Sequence, residues 1–242
     1  MNKEVVIIPT YNERENILNH LSVLTKMYSE MEIVVVDDSS PDGTAELVRE
    51  FALSHPAVSL WVRQEKTGLG DAYKYALGRL VLREDIKNIY TMDADGSHQP
   101  KYLNDLRQAL KDKNGASLVV GSRYVLGGGI ENWGLIRRWL SKFGNLYAKY
   151  LLGVPVNDLT AGFAGFSRQA LQRININSIA STGYAYQIEF KYRLIKTGAK
   201  VKETPIIFSE RALGKSKMSL EIALEGVMIP WRIRFDRHKI LG

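Results

Sequence analysis

Three polar clusters each follow an apolar run in the first half of the chain, and Asp93-Ala94-Asp95 has the make-up of a divalent-cation site. Its two carboxylates flank a small residue just after the run Ile86 to Met92. Hard oxygen ligands on a short loop suit Mg2+ or Mn2+, which is commonly bound by one or two carboxylates and completed by substrate phosphates. Such an ion would neutralise a diphosphate leaving group as its bond to carbon breaks. The same pair also fits structural roles, as a turn and as a cap before the helix that Pro100 opens. Asp37-Asp38 follows the run Glu32 to Val36. Asp38 suits hydrogen bonds from a nucleotide base or ribose, and equally an N-cap. Tyr11-Asn12-Glu13 follows Glu4 to Pro9, where Pro9, Tyr11 and Glu13 could cradle a nucleotide. Tyr11 could stack on a base or be a half-buried loop aromatic.

The elements that must position these groups alternate. Spacing predicts strands at Glu4 to Pro9, Glu32 to Val36, Val58 to Val62, Ile86 to Met92 and Ser117 to Gly121. Helical patterns lie between them, at Glu15 to Met27, Thr44 to Ala52, Leu69 to Leu82 and Pro100 to Leu110. Strands this apolar imply an α/β fold with a parallel sheet covered on both faces. Ligands of open α/β sheets bind beyond the carboxyl ends of the strands, where all three clusters fall.

Other chemistries are disfavoured. No GxGxxG follows the first strand and no GxxxxGK[ST] occurs, against a dinucleotide oxidoreductase or a P-loop NTPase. There is no HExxH and no cysteine, and the four histidines are scattered. Zinc and thiol chemistry therefore lack support. The 33 Lys and Arg outnumber 26 Asp and Glu, a formal charge of +7 that suits an anionic partner or an ordinary basic surface. No apolar run approaches the ~20 residues of a membrane span, and no signal-peptide pattern opens the chain. With no linker, repeat or low-complexity segment, residues 1–242 are expected to form one domain. The expected location is cytoplasmic.

In order along the chain stand VVIIPTYNERENI, VVVDDSSPDGT, MDADGSHQP, GSRYVLGGG, DLTAGF and FSERALGKSKM. This set resembles family 2 glycosyltransferases of the GT-A fold, and within them the dolichol-phosphate (polyprenol-phosphate) mannose synthases. The likeness covers residues 4 to 230. It implies a Rossmann-like, mostly parallel sheet, with a nucleotide-sugar half (1–122) and an acceptor half (123–242) that carries amphipathic helices. It implies transfer of mannose from GDP-mannose to a polyprenyl or dolichyl phosphate, with inversion and with Mg2+ or Mn2+. The donor residues it implies are Pro9, Tyr11, Glu13, Val36, Asp38, Asp93, Ala94 and Asp95, with metal on Asp93 and Asp95. Ser97 stands where relatives often place a Gln near the metal. Arg123, Arg137 and Ser141 match the relatives' acceptor-phosphate site. Arg211 and Lys217 match a basic pair on a loop that closes over the diphosphate. Asp93, Asp95 and Arg123 are the expected catalytic set. Ala164 and Asp71 depart from the family pattern, where relatives favour a basic and a small residue.

Residue chemistry agrees with those roles. A lipid phosphate is already an anionic nucleophile and needs positioning and charge compensation. Arginine forks suit its phosphate, and a mobile lysine suits a point contact. Arg123 also fits a structural salt bridge, Arg137 a solvated or membrane-facing position, and Asp158 either an acceptor-side carboxylate or an N-cap. Between Trp133 and Tyr150, apolar residues recur at helical spacing with Arg137, Arg138, Lys142 and Lys149 among them. That composition fits a helix lying in a membrane interface or an ordinary core helix. Leu220 to Ile240 repeats it. Attachment is expected to be peripheral, on the cytoplasmic membrane face, directly or through a separate small membrane protein, and no nucleic-acid partner is expected. Two other functions fit the motifs: transfer of glucose or another sugar from a UDP-sugar to polyprenyl phosphate or a glycan, and non-catalytic nucleotide-sugar binding.

Overall fold

The computed structural model describes residues 2–112, 115–181, 183–209 and 220–235. The first half alternates as its spacing predicts: β1 (Lys3–Thr10), α1 (Ile17–Met27), β2 (Glu32–Asp37), α2 (Thr44–Ser54), β3 (Val58–Val62), α3 (Leu69–Leu80) and β4 (Ile86–Thr91). A 3-10 turn at Pro100–Tyr102 leads into α4 (Leu103–Lys111) and then β5 (Leu118–Ser122). The second half holds β6 (Gly129–Ile130), α5 (Leu135–Leu152), β7 (Ala164–Ser167), α6 (Arg168–Leu171), α7 (Gly183–Lys196), β8 (Val201–Pro205), β9 (Ile207–Phe208) and α8 (Leu220–Phe235). Helix α1 begins two residues later than its pattern suggests, because Asn16 and Ile17 both donate their N–H to Glu13 O in a preceding turn.

Seven strands form one sheet in the order β3-β2-β1-β4-β7-β5-β8, and β6 pairs with β9. The sheet is mostly parallel; β7 alone runs antiparallel, to both β4 and β5. Alternation along the buried strands splits the core into two layers. Val5, Ile7, Val34 and Val36 pack with α3, α5 and α7 on one face. Val6, Ile8, Ile33 and Val35 pack with α1 and α4 on the other. Glycine is required where β7 enters, since a Cβ on Gly165 would lie 2.8 Å from the Tyr90 ring on β4.

Among the described residues, no helix is long and apolar enough to cross a membrane. Helix α5 turns much of its apolar surface outward: Leu135, Ile136, Trp139, Leu140 and Phe143 are exposed, while Asn145, Ala148 and Leu152 are buried. Helix α8 packs beside it, with Tyr147 Oη donating to Val227 O at 3.0 Å, and Met228, Trp231 and Phe235 are exposed as well.

Candidate active site

The sheet opens at the carboxyl ends of β1 and β4. Their pairing stops at Ile7 and Thr91, whereas β1 keeps pairing with β2 through Pro9–Val36 and Thr10–Asp37. Pro9 thus falls beyond the last β4 pair, where a missing N–H leaves no rung of that ladder broken. Pro9 and Val36 are buried side by side, and the three polar clusters surround the opening.

The loop after β4 is tightly organised. Ala94 is buried in the core and anchors the loop between the two acids. Asp95 is almost fully buried, and its Oδ1 accepts from Ser97 N at 3.0 Å and from Ser97 Oγ at 2.5 Å. Gly96 takes φ +77°, a left-handed turn that lets Ser97 fold back. Asp93 is more open, with 28% of its side chain exposed. Its N–H donates to His98 Nδ1 at 3.0 Å, and its Oδ1 accepts from Tyr73 Oη at 3.3 Å. His98 is held in turn by a stack on Phe163. Opposite Asp93 the chain passes at Gly162, where a Cβ would lie 3.3 Å from the carboxylate. Burial and the adjacent Asp93 charge push the Tyr73 hydroxyl far above its ordinary value, so it stays a proton donor.

This donor set fits a hard divalent cation. Both groups are carboxylates, and no cluster of three or more His, Cys, Asp or Glu suited to a metal occurs among the described residues. Two carboxylates completed by substrate phosphates is the arrangement Mg2+ favours.

Asp37 and Asp38 take different roles. Asp37 is fully buried and ties the loops together: Thr10 Oγ1 donates to it at 2.8 Å, Ser40 N at 2.8 Å and Ser40 Oγ at 2.6 Å. Asp38 accepts from Arg63 Nη1 at 2.8 Å. Burial raises the Asp38 carboxyl above its usual range and outweighs the opposing pull of Arg63. Tyr11 lies under Lys66, whose Nζ is 3.6 Å from the ring centre. The Glu13 backbone N–H donates to Thr44 Oγ1 at 3.0 Å, and its side chain accepts from Asn16 Nδ2 at 2.9 Å.

Arg123 follows β5. Its Nε donates to Asp158 Oδ2 at 2.7 Å, and its Nη2 donates to Asp158 Oδ1 at 2.6 Å and to Thr160 Oγ1 at 2.8 Å. Asp158 is fully buried. Burial alone would raise its carboxyl, but Arg123 holds it below the ordinary value. The Trp133 ring lies 3.7 Å from the Arg137 guanidinium and 5.8 Å from that of Arg123. Ser141 Oγ accepts from Tyr124 Oη at 2.6 Å. Arg123, Arg137 and Ser141 are thus gathered around Trp133 and Tyr124. Arg211 and Lys217 lie outside the described residues.

Several supporting residues were not singled out as site residues: Tyr73, His98, Arg63, Lys66 and Thr160. Among them His98, inside MDADGSHQP, and Thr160, inside DLTAGF, carry a signal that their sequence neighbours could have flagged.

The description Glycosyl transferase family 2 belongs to the family model that matches residues 5–174. Polyprenol monophosphomannose synthase of Mycolicibacterium smegmatis is 44% identical over 218 residues, covering 90% of this chain and 81% of that protein. Undecaprenyl-phosphate mannosyltransferase of Micrococcus luteus is 41% identical over 224 residues, covering 93% of this chain and 90% of that protein. Among solved structures, glucosyl-3-phosphoglycerate synthase from Mycobacterium tuberculosis, in complex with Mn2+, uridine-diphosphate and glucosyl-3-phosphoglycerate, has a TM-score of 0.67. It is 17% identical and the match covers 96% of this chain and 80% of that one, a likeness of fold. The same synthase was also crystallised with Mg2+ and uridine-diphosphate, with a TM-score of 0.68 at 16% identity, covering 96% of this chain and 79% of that one.

Proposed function

The chain belongs to glycosyl transferase family 2, and from that premise we propose that it transfers mannose from GDP-mannose to a polyprenyl phosphate, giving polyprenyl-phosphate mannose and GDP. The observation that carries this reading is the 44% identity, over 90% of the chain, to a protein named polyprenol monophosphomannose synthase. The site geometry supports it: a carboxylate pair follows β4, and Arg123, just past β5, shares the Trp133 ring with Arg137 of α5, which suits two phosphorylated substrates.

In this reading the nucleotide lies across the ends of β4, β1 and β2, about 4.8 Å apart per strand. Its diphosphate lies at Asp93 and Asp95, and its nucleoside lies at Pro9, Tyr11, Glu13, Val36 and Asp38. For a base to stack on Tyr11, Lys66 moves off the ring or covers the far face. Asp93 and Asp95 hold Mg2+ or Mn2+, and Ser97 keeps Asp95 oriented. When bound, the ion supplies charge neutralisation for the diphosphate. The family resemblance assigns Arg211 and Lys217 to the same diphosphate.

Arg123 and Arg137 orient the lipid phosphate, with Ser141 beside them. Asp158 fixes the Arg123 fork and offsets part of its charge. One phosphate oxygen attacks the anomeric carbon from the face opposite the diphosphate. The new C–O bond forms as the old C–O bond breaks, the electron pair leaves on GDP, and configuration inverts. No general base is needed, since the nucleophile arrives deprotonated.

The exposed faces of α5 and α8 would rest on the cytoplasmic membrane surface. Helix α5 carries no acidic residue and mixes its exposed apolar side chains with Arg137, Arg138, Lys142 and Lys149. Cations beside apolar groups match anionic headgroups above an acyl layer. The lipid phosphate would then reach Arg123 from the surface on which α5 lies.

The test incubates the protein with Mg2+ or Mn2+, a panel of radiolabelled nucleotide-sugars and a short polyprenyl phosphate, followed by organic extraction. Label from GDP-mannose alone in the lipid phase is expected. Label from UDP-glucose alone would overturn the reading, and metal-dependent nucleotide binding without turnover would point to a binding protein.

A further inference from the structure

The segment Asp158–Gly162 touches both substrate sides. Asp158 grips Arg123. Thr160 Oγ1 accepts from Arg123 at 2.8 Å and from Asn145 Nδ2 of α5 at 3.0 Å, and the Thr160 N–H donates to Asn145 Oδ1 at 3.2 Å. Gly162 O accepts from Thr91 Oγ1 at 2.7 Å, which sets the chain beside the Asp93 carboxylate. The two carbonyls between these anchors, Leu159 O and Ala161 O, face neither site. Both accept from one fully buried ammonium on α7: Lys191 Nζ, at 3.1 and 2.7 Å. Gln187 supplies two further oxygens, Oε1 at 3.0 Å and O at 3.5 Å.

We infer that Lys191 is a positioning residue that holds Asp158–Gly162 as a stiff bridge between the carboxylates at β4 and the arginine at β5. This rests on the two-substrate reading above. Burial lowers the Lys191 pKa to about 7 against the pull of Asp158; with two or three N–H bonds to give, the amine can donate to both carbonyls in either protonation state, so one group pins both. Residues 159–160 form a turn, and the carbonyls of Leu159 and Ala161 are the ones Lys191 reaches. Relaxing them lets Asp158 and Thr160 shift, and Arg123 with them, while the donor-side contacts on β1 and β2 stay in place. The spacing between the attacking oxygen and the anomeric carbon is therefore what Lys191 controls. A displacement of that kind acts on the transfer step rather than on donor binding.

The test uses the full chain carrying Lys191→Met, with Lys191→Gln as the conservative variant, whose amide keeps two N–H donors on a side chain one bond shorter. Metal-dependent GDP affinity is measured with Mn2+ by titration calorimetry. The kcat and both KM values are measured with GDP-mannose and a short polyprenyl phosphate. For Lys191→Met, kcat is expected to fall roughly 10- to 100-fold with GDP affinity within about threefold of wild type, and Lys191→Gln is expected to recover part of the loss. A folded Lys191→Met protein with wild-type kcat, or one that loses GDP affinity in step with kcat, overturns the inference. Should neither variant fold, Thr160→Val loosens the bridge while leaving the buried Arg123–Asp158 ion pair in place. The same split between kcat and GDP affinity then supports the bridge, and an unchanged kcat overturns it. A wild-type protein that labels no lipid phosphate sinks the functional reading and the bridge with it; a wild type that labels it while the variants match it sinks the bridge alone.

Discussion

Arg123 and Asp158 meet through two side-chain hydrogen bonds of 2.7 and 2.6 Å, and the Arg123 backbone N–H adds a third to the same carboxylate at 3.0 Å. The acid is fully buried and the arginine nearly so. A fork held this way has one orientation, which is what a phosphate-binding arginine needs. Asp158→Ala strands a buried cation and should destabilise the fold by about 3–5 kcal/mol. In whatever folds, KM for the lipid phosphate should rise more than KM for the donor. Urea unfolding and initial rates against each substrate check both parts, and an effect on the donor alone would count against the acceptor role.

Asp95→Ala should abolish transfer and leave the fold standing. The Asp95 carboxylate accepts from Ser97 N and Oγ, bonds that shape the loop after β4. Circular dichroism and Mn2+ binding by electron paramagnetic resonance test this beside the activity. Near-normal transfer would remove the metal role.

Tyr73→Phe deletes one hydroxyl from a buried ring that stacks on Tyr186 at 6.0 Å. The packing survives, but Asp93 loses one of the contacts that orient it. Mn2+ affinity should fall about tenfold, as when a partner that orients a metal ligand is removed. A metal titration of the purified protein decides it, with no turnover needed.

His20 is buried against Met92, its Nε2 3.1 Å from the sulfur. Burial first, then the nearby His98, lowers its pKa to about 4, against a weaker opposing pull from Asp95. The folded value lies below the unfolded one, so between pH 4 and 6.5 the unfolded chain binds more protons. The stability from keeping this ring neutral is present above pH 6.5 and is lost as pH falls toward 4, up to about 3 kcal/mol. Urea unfolding at pH 7, 5.5 and 4.5 should show that slope, and His20→Leu should flatten it.

Trp139→Glu combined with Phe143→Glu places two acids on the exposed face of α5, where the two rings stack 5.5 Å apart. Sedimentation with anionic lipid vesicles should drop sharply, while GDP affinity in solution stays unchanged. Undiminished vesicle binding would show that this face is not the one that meets lipid.

Composition and spacing already held the alternating strands and the three clusters at strand ends. These are local matters: a period of two along a buried strand, and polar groups just past its end. What stayed open was every question about partners far away in the chain. Asp158 read equally as a cap or an acceptor-side acid until Arg123, 35 positions away, was seen in its grip. The outward apolar face of α5 could not be told from a core face, because helical spacing shows that a stripe exists but not what it meets. The antiparallel β7 escaped notice since AGFS is short and small, and its place depends on Tyr90 leaving room for Gly165. Lys191 had no signal at all, because a lysine at helical spacing looks solvated. Only the packed fold, by closing Leu159 and Ala161 over its ammonium, turns it into an internal anchor.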